Sequence, residues 1–289
     1  LADRMYVGDM GGRVWRFDLW NGRPRATFGT GGVLAALGAG DTGATGIENN
    51  RRFYSAPDVA LIQRRGADPY YNLAIGSGYR GHPLHAATRD RFYSIRDRNP
   101  FGGLSQAQYD AATALTDGQL VDITDDPLAT SVPTDAPGWK LEMRLNGGWS
   151  GEKILAEATT VGGTLLFTSY QPQPREDTDP CQPANGINRV YALRVDSGRP
   201  AIDLNDDEVL DAADLSTRLS QSGIAGEVSI ALESVRAVGD DDGGDEAGLD
   251  PLGRRGICVV GVEVLKRCVV PGAVVRTWWQ RTADDGARP

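Results

Sequence analysis

The run Arg4-Met-Tyr-Val-Gly8, the gap Asp9-Met-Gly-Gly12 and the run Arg13-Val-Trp-Arg-Phe-Asp-Leu19 decide the fold. The first run ends on a glycine and the gap carries two more, the chemistry of a tight connection between antiparallel strands. In the second run Val14, Arg16 and Asp18 alternate with Trp15, Phe17 and Leu19. A period of two marks a strand, because successive side chains of a strand point to opposite faces. The two runs predict a β-hairpin, closed by a turn at Trp20-Asn-Gly-Arg-Pro24.

The layout recurs twice. Asn72-Leu-Ala-Ile-Gly76 is followed by a polar stretch and then Asp90-Arg-Phe-Tyr-Ser-Ile-Arg-Asp97. Thr164-Leu-Leu-Phe-Thr-Ser-Tyr170 is followed, after an insertion, by Asn188-Arg-Val-Tyr-Ala-Leu-Arg-Val-Asp-Ser-Gly198. The shared unit is an apolar strand, a turn, a strand of hydrophobic-aromatic-x-hydrophobic type, and a closing turn. It resembles the blade repeat of quinoprotein-like β-propellers. Imperfect repeats of this kind favour a propeller over a sandwich or an irregular multi-sheet domain. The expected fold is therefore all-β: a quinoprotein-like β-propeller, incomplete in this fragment, with short helices in insertions. At roughly 40–50 residues per blade the chain holds about six blades at best. Insertions lower that number, so the first blades are expected upstream of Leu1. The chain opens on Leu1 rather than Met, with no signal peptide ahead of it, and reads as a piece of a longer protein.

Helix is scarce. Ser105–Leu115 has a capping Ser and good helix formers and predicts a short helix in an insertion. Asp211–Leu219 predicts a second.

The chain has 289 residues, 39 acids, 30 Lys plus Arg and a net charge of −9. Its length suffices for a real core, and 40% hydrophobic residues argues against general disorder. No apolar run reaches the roughly 18–20 residues of a membrane helix. The acidic balance argues against a nucleic-acid partner, which calls for a basic face. The charge is local. Residues 203–250 hold fourteen acids against Arg218 and Arg236, leaving the remainder of the chain slightly basic. Five of those acids fall in residues 240–246, Asp-Asp-Asp-Gly-Gly-Asp-Glu, which reads as a solvated, disordered-type acidic loop.

Another part of the segment carries chemistry. Asp203, Asn205, Asp207, Asp211 and Asp214 place oxygen donors at positions 1, 3, 5, 9 and 12 of a twelve-residue loop. Val209, at position 7, can offer its backbone carbonyl. This is EF-hand spacing, inserted at residues 203–214, and it predicts a Ca²⁺ site. Four converging carboxylates repel one another without a cation, so binding would order the loop. The loop departs from the pattern at Glu208, where a sharp turn favours Gly, and at Asp214, shorter than the usual Glu. Asp214 is similar to the last ligand of dockerin-type loops and is expected to open the helix Ala212–Leu219. Mg²⁺ suits so wide a carboxylate shell poorly.

Other chemistry is thin. Cys181, Cys258 and Cys268 make no Cys-x-x-Cys metal site. Cys258 and Cys268 bracket a strand-like run, so they could pair only across a hairpin or bend. One disulfide with one free thiol, and three buried unpaired thiols, both stay open. His82 and His85 in Gly81-His-Pro-Leu-His85 read as turn histidines at a blade edge. Glu152 and Glu157 read as strand-edge charges. No nucleophile elbow or P-loop occurs, and no catalytic residue is assigned.

Jointly, these stretches resemble the C-terminal propeller of PilY/PilC-type type IV pilus tip proteins. The match runs from Asp3–Asp18 through Phe53-Tyr-Ser-Ala-Pro-Asp58, Ala74-Ile-Gly-Ser-Gly78, His82-Pro-Leu84 and Asp90–Asp97. It continues through Gly151-Glu-Lys-Ile-Leu-Ala-Glu157 and Leu166–Tyr170 to Gly261–Leu265 and Arg276-Thr-Trp-Trp279. On that resemblance residues 1–289 are one C-terminal propeller domain. The resemblance implies a non-enzymatic, calcium-binding protein that supports pilus assembly against retraction, twitching motility and surface adhesion. It implies an extracytoplasmic place, at the pilus tip or secreted with outer-membrane association. Its implied partners are the minor pilins of the tip and a host or abiotic surface receptor. Two alternatives compete. A quinoprotein-type dehydrogenase would call for a cofactor site, often with a vicinal Cys-Cys pair that this sequence lacks. A dockerin-like interaction module would call for a second loop.

Overall fold

The computed structural model describes residues 3–38, 46–144, 147–173, 186–221, 223–232 and 256–265. The acidic loop at 240–246, Cys181, Cys268 and the Arg276–Trp279 stretch lie outside the described residues.

The first hairpin forms as its sequence predicts. Strands β1 (Arg4–Gly8) and β2 (Arg13–Leu19) pair antiparallel, with Gly8 opposite Val14 and Arg4 opposite Asp18. The turn is held by Asp9, whose carboxylate accepts from the Gly11 and Arg13 amides and from the Trp15 indole. Gly12 has φ +78°, and a Cβ there would lie 2.5 Å from the Gly38 Cα, so both the turn and the close approach demand glycine.

Strand β3 (Gly29–Ala36) follows, and β7 (Leu115–Thr116) adds to it in parallel, giving the first sheet the order β1-β2-β3-β7. The second sheet contains β4 (Asp58–Ile62), β5 (Tyr70–Gly76), β6 (Arg91–Asp97), β9 (Gly138–Glu142) and β8 (Val121–Asp122), in that order. The third runs β10 (Thr159–Val161), β11 (Thr164–Gln171), β12 (Ile187–Arg194), β13 (Ser216–Arg218). The fourth is β14 (Val228–Leu232), β15 (Gly256–Val260), β16 (Glu263–Leu265). All three repeats read from the sequence are thus antiparallel strand pairs of successive sheets: β1–β2 at an edge of the first, β5–β6 and β11–β12 inside the second and third.

Three apolar cores lie between successive sheets. Val14, Leu37, Leu73, Ile75 and Tyr93 fill the first. Phe92, Trp139, Leu165, Phe167 and Tyr191 fill the second. Leu166, Val190, Ala192, Val228, Cys258 and Val260 fill the third. One strand feeds two cores: Leu165 and Phe167 point one way from β11, and Leu166 the other. This is why the central strands are apolar in both phases, as strands buried on both faces must be. In the middle core Phe92 stacks on Phe167 and Phe167 on Tyr191, with ring centroids 3.7 and 4.7 Å apart. Sheets stacked face to face in chain order form a β-propeller-like array.

The outer face of the first sheet differs. Met5 and Val7 are 46% and 37% exposed, and across from them lie Phe17 and Trp15, stacked on each other. The face of β2 turned toward the second sheet carries Val14, Arg16 and Asp18, all buried. Arg16 is satisfied there by Asp18 and by Asp97 of β6. Tyr6 donates to the same Asp97 at 2.5 Å, and Arg4 and Tyr109 donate to Asp18.

Both predicted helices are corrected in length. The first is α1 (Gln106–Ala111), opened by a capping box between Ser105 and Gln108. It stops before Leu115 because Leu115 and Thr116 pair with Ala35 and Ala36 of β3. The second is a single 3₁₀ turn, Ala212–Leu215. Ser216–Arg218 then leave it for strand β13, where Tyr191, Val190 and Arg189 of β12 offer an unfilled edge. Pairing with a preformed edge outweighs the weak helix propensity of so short a segment.

Candidate functional site

The loop 203–214 bridges β12 and β13, and apolar residues on both flanks fix its position. Ile202 and Leu204 belong to the core between the third and fourth sheets, and Leu215 packs against the core between the second and third. Between these anchors the chain turns twice through left-handed backbone, with φ of +69° at Asp206 and +67° at Glu208. The sharp turn expected to need glycine at Glu208 is therefore made, at some cost, by a residue with a side chain.

The turns point carboxylates inward. Asp203, Asp207 and Asp214 bring ligand oxygens within 4.8 Å of one another. Asp214 is 0% exposed, and its Oδ1 accepts from the Leu204 amide at 2.8 Å and the Asn205 amide at 3.3 Å, while Oδ2 accepts from the Asp211 amide at 3.0 Å. Asp203 accepts from the Asp206 and Glu208 amides at 2.7 and 3.0 Å. Asn205 donates its side-chain amide to Asp207 Oδ2 at 2.9 Å. A cluster of three carboxylates, one of them buried, is hard and anionic, a donor set that suits Ca²⁺.

Asp211 and Val209 lie outside the converging carboxylate trio. Asp211 accepts from the Ala213 amide at 2.7 Å and caps the 3₁₀ turn, so it serves as a helix cap rather than as a member of the cluster. Val209 is 56% exposed, and its proposed ligand is the main-chain carbonyl rather than the side chain. Sequence spacing thus locates the loop, and the backbone sorts its six positions into a converging trio, a linked Asn205, a cap and the exposed Val209.

His82 and His85 do not form a metal pair of the ordinary kind. Their rings sit 6.0 Å apart against Tyr79, and the Lys153 ammonium donates to the carbonyls of His85, Pro83 and Gly151 at 2.7, 2.9 and 2.6 Å. Burial, reinforced by the positive charge of Lys153, holds His85 below the ordinary imidazole value. A cation next to the ring works against a second cation on it.

The sequence reading missed several buried charges. Glu152 is 1% exposed, not a strand-edge charge: its Oε1 accepts from Tyr191 at 2.8 Å and from Ser169. Burial pushes Lys153 down to about 8, against the pull of Asp90, and pushes Asp90 up to about 6, against the hydrogen bond from Ser77. No spacing in the sequence marks these residues: the partners of Glu152 lie on β11 and β12, and two of the three carbonyls that hold Lys153 come from the 83–85 turn.

Cys258 is disulfide-bonded and lies buried on β15. This decides one alternative that the sequence left open: this thiol is not free.

No family model matches the chain. It is 24% identical over 215 residues to a type IV pilus biogenesis factor PilY1 homolog of Xylella fastidiosa, covering 70% of this chain and 14% of that protein. Its fold matches the crystal structure of the Pseudomonas aeruginosa PilY1 C-terminal domain with a TM-score of 0.60 at 17% identity. That match covers 93% of this chain and 58% of the solved one. The chain therefore spans about one seventh of the curated relative and somewhat over half of the solved domain. In fold it is PilY1-like, in agreement with the resemblance read from the sequence.

Proposed function

We propose that this chain is the calcium-binding, C-terminal propeller portion of a type IV pilus biogenesis factor. The observation that carries the reading is the similarity over 215 residues to a protein of that description, joined to a fold like the PilY1 C-terminal domain. In this reading the protein acts outside the cytoplasm at the pilus tip, on the outer side of the cell envelope. It supports pilus assembly against retraction and so contributes to twitching and surface adhesion. Its role is to bind and assemble, not to catalyse. The disulfide at Cys258 suits an oxidising compartment.

Asp203, Asp207 and Asp214 would hold the ion, with Asn205 and the Val209 carbonyl completing the shell and Asp211 steadying the turn. Bound Ca²⁺ would remove the repulsion among the three carboxylates and fix the loop between its apolar anchors. Minor pilins of the tip and a host or abiotic receptor are the partners this role calls for.

The test is a strain whose native gene carries Asp203→Ala together with Asp207→Ala, scored for surface pili, twitching and attachment. Reduced motility with normal protein abundance is the expected result. Normal motility in that strain, with no Ca²⁺ uptake by the wild-type protein in calorimetric titration, would reject the proposal.

A further inference from the structure

Between the second and third sheets lies an open cleft of about 680 Å³, lined by Arg64, Arg96 and Arg98 among others. A second cavity of about 460 Å³ adjoins it and shares Val132, Asp196 and Ser197 with it. Arg194, Arg199, Leu128 and Leu210 belong to this second part. Neither cavity contains the carboxylate cluster, although Leu210 comes from the same loop.

The chemistry of the cleft runs against the charge of the chain. Five guanidinium groups meet three carboxylates, those of Asp68, Asp135 and Asp196. Asp196 is already shared by Arg64 at 2.6 Å and Arg194 at 3.5 Å. Arg96 is 8% exposed and is held by carbonyls instead of by a carboxylate of its own: Pro133, Thr134 and Ala136 accept from Nη1, and Asp196 accepts through its main-chain oxygen from Nη2. Its Cζ stands 5.3 Å over the Tyr70 ring. Arg98 donates to the Ala136 carbonyl at 3.0 Å. Carbonyls orient these cations without neutralising them, so a protein of net charge −9 keeps a positive patch in a concave site. Concave walls focus that potential.

The geometry points to a binding site for an extended acidic segment of a partner protein. We propose that its carboxylates enter the arginine end and that its apolar side chains lie against Leu128, Val132 and Leu210. Guanidinium groups pair with carboxylates by charge-assisted, often two-pronged hydrogen bonds, which suits Asp- or Glu-bearing peptide over a neutral one. Combined room of this size accommodates several side chains. The arginine end holds no residue of the 203–214 loop, so its Arg64 and Arg98 variants test the proposal separately from the calcium reading; only the apolar end touches the loop, at Leu210.

The test uses the full chain and a fluorescein-labelled hexapeptide built of two glutamates and one leucine, repeated, with binding read by anisotropy. Its glutamine counterpart and a thymidine oligonucleotide are the comparison probes. The glutamate peptide should bind, with affinity falling as salt rises. The glutamine peptide should bind about tenfold more weakly or worse. Arg64→Gln with Arg98→Gln should weaken the glutamate peptide about tenfold, Leu210→Ser a few-fold, and Arg25→Gln, which lines neither cavity, not at all. Thermal melting checks that each variant is folded, and Arg199→Gln serves in place of any variant that is not. No binding of the glutamate peptide, equal binding of the glutamine peptide, equal or tighter binding of the oligonucleotide, or folded cleft variants that bind as the wild type does would each overturn the proposal.

Discussion

Arg16 of β2 reaches across the first interface and donates from Nη1 to both carboxylate oxygens of Asp97 on β6, at 3.0 and 2.9 Å, with neither side chain more than 2% exposed. The two residues are 81 positions apart in the chain. They fasten the first sheet to the second through charge, where the second interface relies on an aromatic stack and the third on aliphatic packing. Removing one member of a buried pair leaves the other ionised and unsolvated. Asp97→Ala is expected to destabilise the chain by about 3 kcal/mol or more, read as a lower midpoint in urea. Asp18 remains to hold Arg16, so the loss should stop short of unfolding at room temperature.

The candidate ion loop predicts a stability that depends on calcium. At a hundredfold excess over Kd, a ligand that binds only the folded state adds about 2.7 kcal/mol. For a domain of this size that is a rise in Tm of roughly 5–10 °C. Asp203→Ala or Asp214→Ala should abolish the rise. Asp211→Ala should separate capping from ligation: it costs about 1 kcal/mol without the ion and leaves most of the calcium-dependent rise in place. Differential scanning fluorimetry with CaCl₂ and with chelator distinguishes the three.

Asp117 predicts an acid transition. Burial alone would raise its carboxyl, but the hydrogen bond from Lys140 at 2.8 Å and the guanidinium of Arg91 outweigh burial and hold it at about 2. Its pKa in the unfolded chain is near 3.9. A depressed folded value means that the stabilisation is present above the unfolded pKa and is lost as pH falls through the folded one. The wild type should therefore lose about 2 kcal/mol more than Asp117→Asn between pH of about 4.5 and about 2. Urea midpoints measured across that range test the difference.

The bond at Cys258 predicts redox dependence. Reduction should lower stability by about 2–4 kcal/mol, and Cys258→Ser should show the same loss without reductant. Thiol titration of the unreduced, denatured protein should find one free thiol among the three cysteines.

Much of the architecture was legible because its signals are local. Glycines 8, 11 and 12 and the alternation in β2 announce the first hairpin, and the apolar run Thr164–Tyr170 announces a strand. Spacing alone also located the loop at Asp203–Asp214. The losses are non-local. The alternation in β2 does not tell which phase is buried; Val14-Arg16-Asp18 is, because Arg16 finds a carboxylate on a strand far along the chain. Residues 216–218 become a strand because β12 offers them an edge. Asp211 has ligand spacing but acts as a cap, a distinction set by backbone geometry. The arginines of the cleft are spread from Arg64 to Arg199 and converge only when the second and third sheets meet.

The placement of the loop has a mechanical meaning. Strand β13 is three residues long, closes the outer edge of the third sheet, and meets β12 at three positions only. Chain tension arriving from the fourth sheet would reach this short strand before the eight paired positions of β11 and β12. The first element to peel would then be the one spliced directly to the carboxylate loop. An ion that stiffens the loop would raise the force at which peeling starts, making Asp203–Asp214 a clasp whose strength is set by the surrounding calcium concentration.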